Sequence, residues 1–229
     1  MGKAFESRWT VDLPGTPEQA WEAITVHTGA WLWPISYEPR EGGAETGLNG
    51  NGGTVTAWDP PRRLGVRSVE GDNELEYRLD GTHLVHTHIG EFAEDEYALQ
   101  LDSCRQHVDF YLHTLGEYLG HFAGSPAVFV SLDAPEGVGF ATVRQALGLP
   151  ATLTVGERVR LTPDGLTPID GVVDYATPSF AGVRSADALY RFFGRDTWGW
   201  PVGVSVHSFA DDNEDGIRKS WQVFLEGVR

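Results

Sequence analysis

The run Glu94-Asp-Glu-Tyr97-Ala-Leu-Gln-Leu101-Asp-Ser-Cys104-Arg-Gln-His-Val108-Asp-Phe-Tyr111-Leu-His-Thr-Leu115-Gly-Glu-Tyr118-Leu-Gly-His-Phe122 decides the fold. Its Tyr97, Leu101, Cys104, Val108, Tyr111, Leu115, Tyr118 and Phe122 recur in alternating steps of four and three, the spacing of one face of an α-helix. At 3.6 residues per turn the pattern lasts about seven turns without a proline. Leu112 and Leu119 widen the apolar stripe, and Asp95, Asp102, Gln106, Asp109, Thr114 and Glu117 take the opposite face. A helix of this length needs a broad surface against its stripe. The preceding chain supplies one. Asn73-Glu-Leu-Glu-Tyr-Arg-Leu79 alternates polar and apolar, Asp80-Gly81 is a two-residue hairpin signal, and Thr82 to Ile89 is a return strand. The expected fold is α+β: a curved antiparallel sheet gripping one long C-terminal helix.

Upstream, Phe5 to Leu13 alternates as a first strand and Pro14-Gly15 ends it. Thr16 is an N-cap, Pro17 takes the first helical position and Gln19 completes a capping box for a helix through Trp21 and Ile24, reaching towards Thr28. Gly29 to Pro34 breaks it and leaves Trp31 and Trp33 on a short irregular segment. From Glu41 to Gly53 the chain holds six glycines. Because this stretch does not open a helix after a strand, it reads as a flexible hairpin rim rather than a phosphate loop. Strands follow at Gly53–Trp58 and Leu64–Val69, joined by the turn Asp59-Pro-Pro-Arg-Arg-Leu64.

Charge narrows the partners. The 229 residues carry 17 basic and 33 acidic side chains, a net charge of −16. Both halves are acidic: 8 basic and 20 acidic residues precede Ala123, against 9 and 13 after it. Nucleic acid and anionic membranes need a basic footprint, so neither is an expected partner. A single cysteine excludes a disulfide framework. The first residues lack an apolar signal core or a myristoylation motif, and no stretch approaches 18 apolar residues, so a cytoplasmic location is expected.

Three motifs in order carry a resemblance: Trp9-Thr-Val-Asp-Leu-Pro-Gly-Thr-Pro-Glu-Gln-Ala-Trp-Glu-Ala-Ile-Thr25, Asp59-Pro-Pro-Arg-Arg-Leu64 and Gly81-Thr-His-Leu-Val-His-Thr-His-Ile-Gly-Glu-Phe92. Residues 4–122 resemble the SRPBCC (START-like) superfamily, and within it the branch named after the activator of heat-shock protein 90 ATPase. The resemblance implies a helix-grip fold with a cavity between sheet and helix that commonly holds an apolar ligand. The chain departs from the family at His107-Val108, where members often have Gly-Trp, and at His86, where an apolar residue is usual.

After the linker Gly124-Ser125-Pro126 the order of elements repeats. Val128–Leu132 reads as a strand and Pro135 to Leu147 as a helix. Strands follow near Glu157–Leu161, Gly171–Tyr175, Phe180–Arg184 and Leu189–Phe193. Val202 to Ala210 echoes His83-Leu-Val-His-Thr-His, and Asp211 to Val228 is a closing helix in which Ser220-Trp221-Gln-Val-Phe-Leu225 fits the family pattern. The expected organisation is a helix-grip domain at 1–123, a linker at 124–126 and a second, shorter and diverged copy at 127–229. The alternative is one domain with a C-terminal extension.

The chemistry is sparse. No G-x-S-x-G and no cysteine with a base signature is present. Cys104, on the apolar stripe, reads as a small core residue. A hairpin pairing Leu79 with Thr82, Tyr77 with Leu84 and Leu75 with His86 places Leu75, Tyr77, Leu79, Leu84, His86 and His88 on one face, towards the helix, and His83 outward. His-x-His suits a metal, but no third ligand is evident, so neither metal nor cofactor is expected. The candidate ligand-binding residues are Trp31, Trp33, Trp58, Tyr77, His86, His88, Cys104, Val108 and Tyr111, with Trp31, Trp33 and Trp58 at the cavity mouth. The expected function is non-catalytic binding of a small apolar or aromatic molecule. Two alternatives stand beside it. One is a cyclase or dehydratase with His86 and Tyr111 as acid and base; the other is co-chaperone-like binding of a protein partner.

Overall fold

A computed structural model describes residues 2–71, 73–210 and 213–229. The chain divides into two compact units, one ending at Ser125 and one running Pro126–Arg229, so the division falls inside the 124–126 segment. The first unit runs β1 (Gly2–Asp12), α1 (Pro17–Thr25), a 3-10 turn at Thr28–Ala30, β2 (Ser36–Tyr37), β3 (Ala44–Thr46), β4 (Gly53–Asp59), β5 (Arg63–Ser68), β6 (Asn73–Asp80), β7 (His83–Ala93) and α2 (Tyr97–His121). Its seven strands form one antiparallel sheet in the order β1-β7-β6-β5-β4-β3-β2, with α2 against β1 and β7. The fold is a helix-grip.

Local chemistry explains the elements. Thr16 and Gln19 cap α1 reciprocally: the Gln19 N–H donates to Thr16 Oγ1 at 3.2 Å, and the Thr16 N–H to Gln19 Oε1 at 2.9 Å. On β1, Phe5 and Ser7 are buried while Glu6, Arg8 and Asp12 are exposed, the alternation of a half-buried strand. Leu64, Val66, Leu84, Phe110, Leu115 and Tyr118 are closed to solvent at the centre of the unit.

Three expectations need correction. First, the β6–β7 loop is Gly81-Thr82, not Asp80-Gly81: Asp80 pairs with His83, Leu79 with Leu84, Tyr77 with His86 and Leu75 with His88. Gly81 takes φ +63° at the first loop position, where only glycine turns without strain. The slip is two residues, so every side chain keeps its face. Second, α2 is rolled. Phe110 and Thr114 are buried with Leu115 and Tyr118, whereas Cys104, Val108 and Tyr111 are only half-buried. Thr114 tolerates the core because its hydroxyl donates to Phe110 O at 2.8 Å. Third, the 41–53 loop contains β3, and its Glu45 is 1% exposed, so the segment is built structure rather than a rim.

The second unit runs β8 (Val128–Asp133), α3 (Phe140–Ala146), β9 (Arg158–Leu161), β10 (Ile169–Ala176), β11 (Phe180–Arg184), β12 (Ala188–Phe193), β13 (Gly203–Ser208) and α4 (Glu214–Gly227). Its antiparallel order, β8-β13-β12-β11-β10-β9, repeats the connectivity of the first sheet: the first strand joins the last, and the rest follow in reverse. α3 begins later than expected, because Gly137 sits at φ +82° and the Phe140 N–H is taken by Asp196 Oδ2 at 3.1 Å. The expected helix start at Asp211 lies outside the described residues. Phe140, Val143, Val183, Phe192, Val204, Trp221 and Phe224 form this unit's core against α4. Among the described residues no helix is long and apolar enough to cross a membrane.

Candidate functional site

The half-buried part of α2 does not pack on a solid core. It faces a cavity of about 210 Å³ walled by β6, β7 and the segment after α1. The strands contribute Leu75, Tyr77, His86 and His88; the helix contributes Cys104, Val108 and Tyr111; the segment contributes Trp31 and Trp33. Both indoles are tethered, Trp31 Nε1 donating to Ala23 O at 2.8 Å and Trp33 Nε1 to Gly47 O at 2.7 Å. Trp33 meets Tyr111 edge-on at 5.6 Å.

Eight of the nine residues named from sequence line this space, and Trp58 does not. A bulge between Val55 and Ala57 puts Trp58 opposite Leu64, and Leu64 opposite Tyr77, so Trp58 shares the row of Tyr77 but lies two strands beyond it. There Trp21 of α1 takes its ring at 5.1 Å. Sequence reasoning missed Leu48, Asn73 and His107, which line the cavity too. Strand alternation could have found Asn73, which lies two residues before Leu75 on the same face.

The two inward histidines are held differently. His86 is 2% exposed and stacks on Tyr77 at 4.4 Å. Its Nδ1 lies 3.0 Å from Glu76 O, and since a carbonyl only accepts, Nδ1 carries the proton and Nε2 keeps a lone pair. Burial, with the neighbouring His88 adding to it, pushes its pKa down to about 3, against the opposing pull of the Glu76 carbonyl. His88 Nε2 donates to Asn73 Oδ1 at 2.6 Å, and its Nδ1 lies 3.4 Å from Cys104 Sγ. Burial pushes this imidazole down to about 4. Burial likewise raises the Cys104 thiol to about 11, with Arg105 pulling weakly the other way. At pH 7 the His86 and His88 imidazoles and the Cys104 thiol are therefore neutral.

The polar groups continue past the wall in one direction. Asn73 Nδ2 donates to Asn49 Oδ1 at 3.0 Å, and Asn49 Nδ2 to Glu45 Oε2 at 2.7 Å. The Leu48 N–H holds the other carboxylate oxygen at 2.6 Å. From thiol to carboxylate each group meets the next. Gly53 makes room for this chain: a Cβ there would lie 2.5 Å from Glu45 Oε2 and 2.7 Å from Arg67 O. No sequence signature marks a base for Cys104, because its neighbouring imidazole comes from a strand 16 residues earlier. His83 points outward, as expected, with Nδ1 at 2.7 Å from Asp12 Oδ1. Among the described residues no three His, Cys, Asp or Glu side chains gather as metal ligands. The second unit has its own space of about 460 Å³ against α4, with Tyr190 and Trp221 in its wall and Asp187 and Asn213 among its lining residues.

No family model matches the chain, and no curated protein matches it. Solved structures do. CalU16 from Micromonospora echinospora is 24% identical over 52% of this chain and 74% of its own, with a TM-score of 0.37. DynU16, a protein of the dynemicin biosynthetic locus, is 16% identical over 96% of this chain and 95% of its own, with a TM-score of 0.40. The Aha1 dimer from Colwellia psychrerythraea is 19% identical over 51% of this chain and 96% of its own, with a TM-score of 0.39. The helix-grip assignment stands on the strand order and register described above.

Proposed function

We propose that the first unit is a small-molecule-binding domain of the SRPBCC kind, which takes an aromatic ligand bearing one hydrogen-bond donor between β6–β7 and α2. The observation that carries this reading is His86 Nε2. It belongs to a buried ring in an otherwise mostly apolar wall, and no partner meets it among the described residues. A hydrogen bond from a ligand hydroxyl or N–H to this nitrogen would contribute about 0.5–1.5 kcal/mol. Size agrees: a cavity of about 150 Å³ holds one benzene ring, so about 210 Å³ suits a substituted ring or a small bicycle. His86 and His88, both neutral at pH 7, offer no charge to an anion, and the net charge of −16 opposes polyanions.

Titration with 2-naphthol, followed by tryptophan fluorescence, tests this. 2-Naphthol should saturate one site on the first unit, and 2-methoxynaphthalene, which lacks the donor, should bind about fivefold to tenfold more weakly, the worth of one hydrogen bond. In His86→Leu that preference should vanish while the fold is kept. Equal affinities in the native protein, or no binding of either compound, would overturn the reading.

The second unit, on the same proposal, is a shorter copy of the first, supported by its repeated strand order and closing helix. The chain up to Ser125 then carries a complete core, and expressed alone it should unfold in one cooperative thermal transition. A fragment with native-like secondary structure but no such transition would mean that the halves complete one shared core.

A further inference from the structure

We infer that Cys104, His88 and Asn73 form a nucleophile, base and orienter that add covalently to the electrophilic β-carbon of an α,β-unsaturated carbonyl ligand held in this cavity. The inference rests on the cavity being a ligand site and assigns it chemistry. The arrangement has the parts such a step requires: a thiol within reach of an imidazole nitrogen, and that imidazole fixed from behind. Cys104 Sγ lies 3.4 Å from His88 Nδ1, and Asn73 Oδ1 accepts from His88 Nε2 at 2.6 Å, which leaves the Nδ1 lone pair for the thiol proton. Asn73 is itself anchored through Asn49 to Glu45, so the acceptor behind His88 is held in place. Cys104 lines the cavity beside Val108 and Tyr111, and His86 lines the same space, so a ligand held there would lie beside the sulfur.

Addition is favoured over acyl transfer by the position of Cys104. It lies in the interior of α2, where backbone N–H groups are consumed by the helix and cannot form an oxyanion hole. The step balances with no further reagent. The Sγ–C bond forms as the C=C π pair moves towards the carbonyl oxygen, and the thiol proton passes to His88 Nδ1. The imidazolium then protonates the α-carbon, leaving a thioether and a neutral imidazole. The resting pair is S–H and neutral imidazole, because burial raises the thiol and lowers His88, so the base must act during attack rather than before it.

Phenyl vinyl ketone with intact-mass detection provides the test, and the saturated propiophenone, measured by displacement of 2-naphthol, reports binding separately. One adduct is expected at a rate above that of free N-acetylcysteine, absent in Cys104→Ser and about a hundredfold slower in His88→Gln. The unmodified protein gives a second readout. With His88 as base the rate should be flat from about pH 6 to 9, whereas unassisted attack by a thiolate would climb about tenfold per pH unit. A climbing profile, an adduct slower than N-acetylcysteine, or an undiminished His88→Gln rate overturns the inference. Propiophenone bound without any vinyl ketone adduct sinks the covalent step and leaves the binding reading intact; neither bound nor added, and both fall.

Discussion

Lowering the pH from 7 to 4.5 should cost the first unit on the order of 5 kcal/mol of stability, most of what a small domain possesses. His86 and His88 have folded pKa values pushed down to about 3 and about 4. In the unfolded chain both take about 6.5. A depressed histidine stabilises the fold above its unfolded value, and that contribution drains away as pH falls towards the folded one. In this window the unfolded state binds protons that the folded state refuses, so stability falls by about 1.4 kcal/mol per pH unit for each ring. Urea unfolding of the protein and of His86→Leu at pH 7, 5.5 and 4.5 checks this. The variant should lose stability over this range with about half the slope. Parallel curves for the two proteins would mean that His86 is charged or solvated in the fold.

Asp174→Ala should destabilise the second unit by about 3–5 kcal/mol, the range for stranding one partner of a buried ion pair. Arg191 is 1% exposed, and its Nη1 donates to both Asp174 oxygens at 2.7 and 2.9 Å. Arg191 on β12 pairs with Gly182 on β11, and the missing side chain makes the space: a Cβ at Gly182 would collide with Asp174 and Arg191 together. Replacing both charges, as Asp174→Leu with Arg191→Met, should recover stability to within about 1 kcal/mol of the native protein. Thermal and urea unfolding of the single and double variants decide it. A single variant within about 1 kcal/mol of native would show that the pair is hydrated.

Much of this molecule is legible in its residues, for a physical reason: period 2 and period 3.6 leave clear traces when one face is buried. A long helix within the 94–122 run and the shared face of Tyr77, His86 and His88 follow from those periods, whereas the exact β6–β7 register does not. What escaped them was set by geometry. A bulge in β4 and the neighbouring Trp21 decide the fate of Trp58, and alternation encodes neither. The roll of α2 buries Phe110 and Thr114 because Thr114 satisfies its own hydroxyl within the helix, which a polarity count records as solvent-facing. Glu45 and Asn49 sit in a glycine-rich stretch that reads as a loop, yet Leu48 and Asn49 hydrogen-bond Glu45 locally and the chain-distant Asn73 donates to Asn49. Arg191 interrupts an apolar strand, and its ion pair with Asp174 from a neighbouring segment is not legible in that pattern.

The central claim is that a ligand enters between α2 and the β6–β7 hairpin, and intermolecular nuclear Overhauser effects test it directly. With methyl-labelled protein and saturating 2-naphthol, the ligand protons should show effects to the methyls of Val108 and Leu75 and to the indole of Trp33. Effects confined to methyls outside this wall, such as Val11 or Val26, or no effects at saturation, would contradict the account.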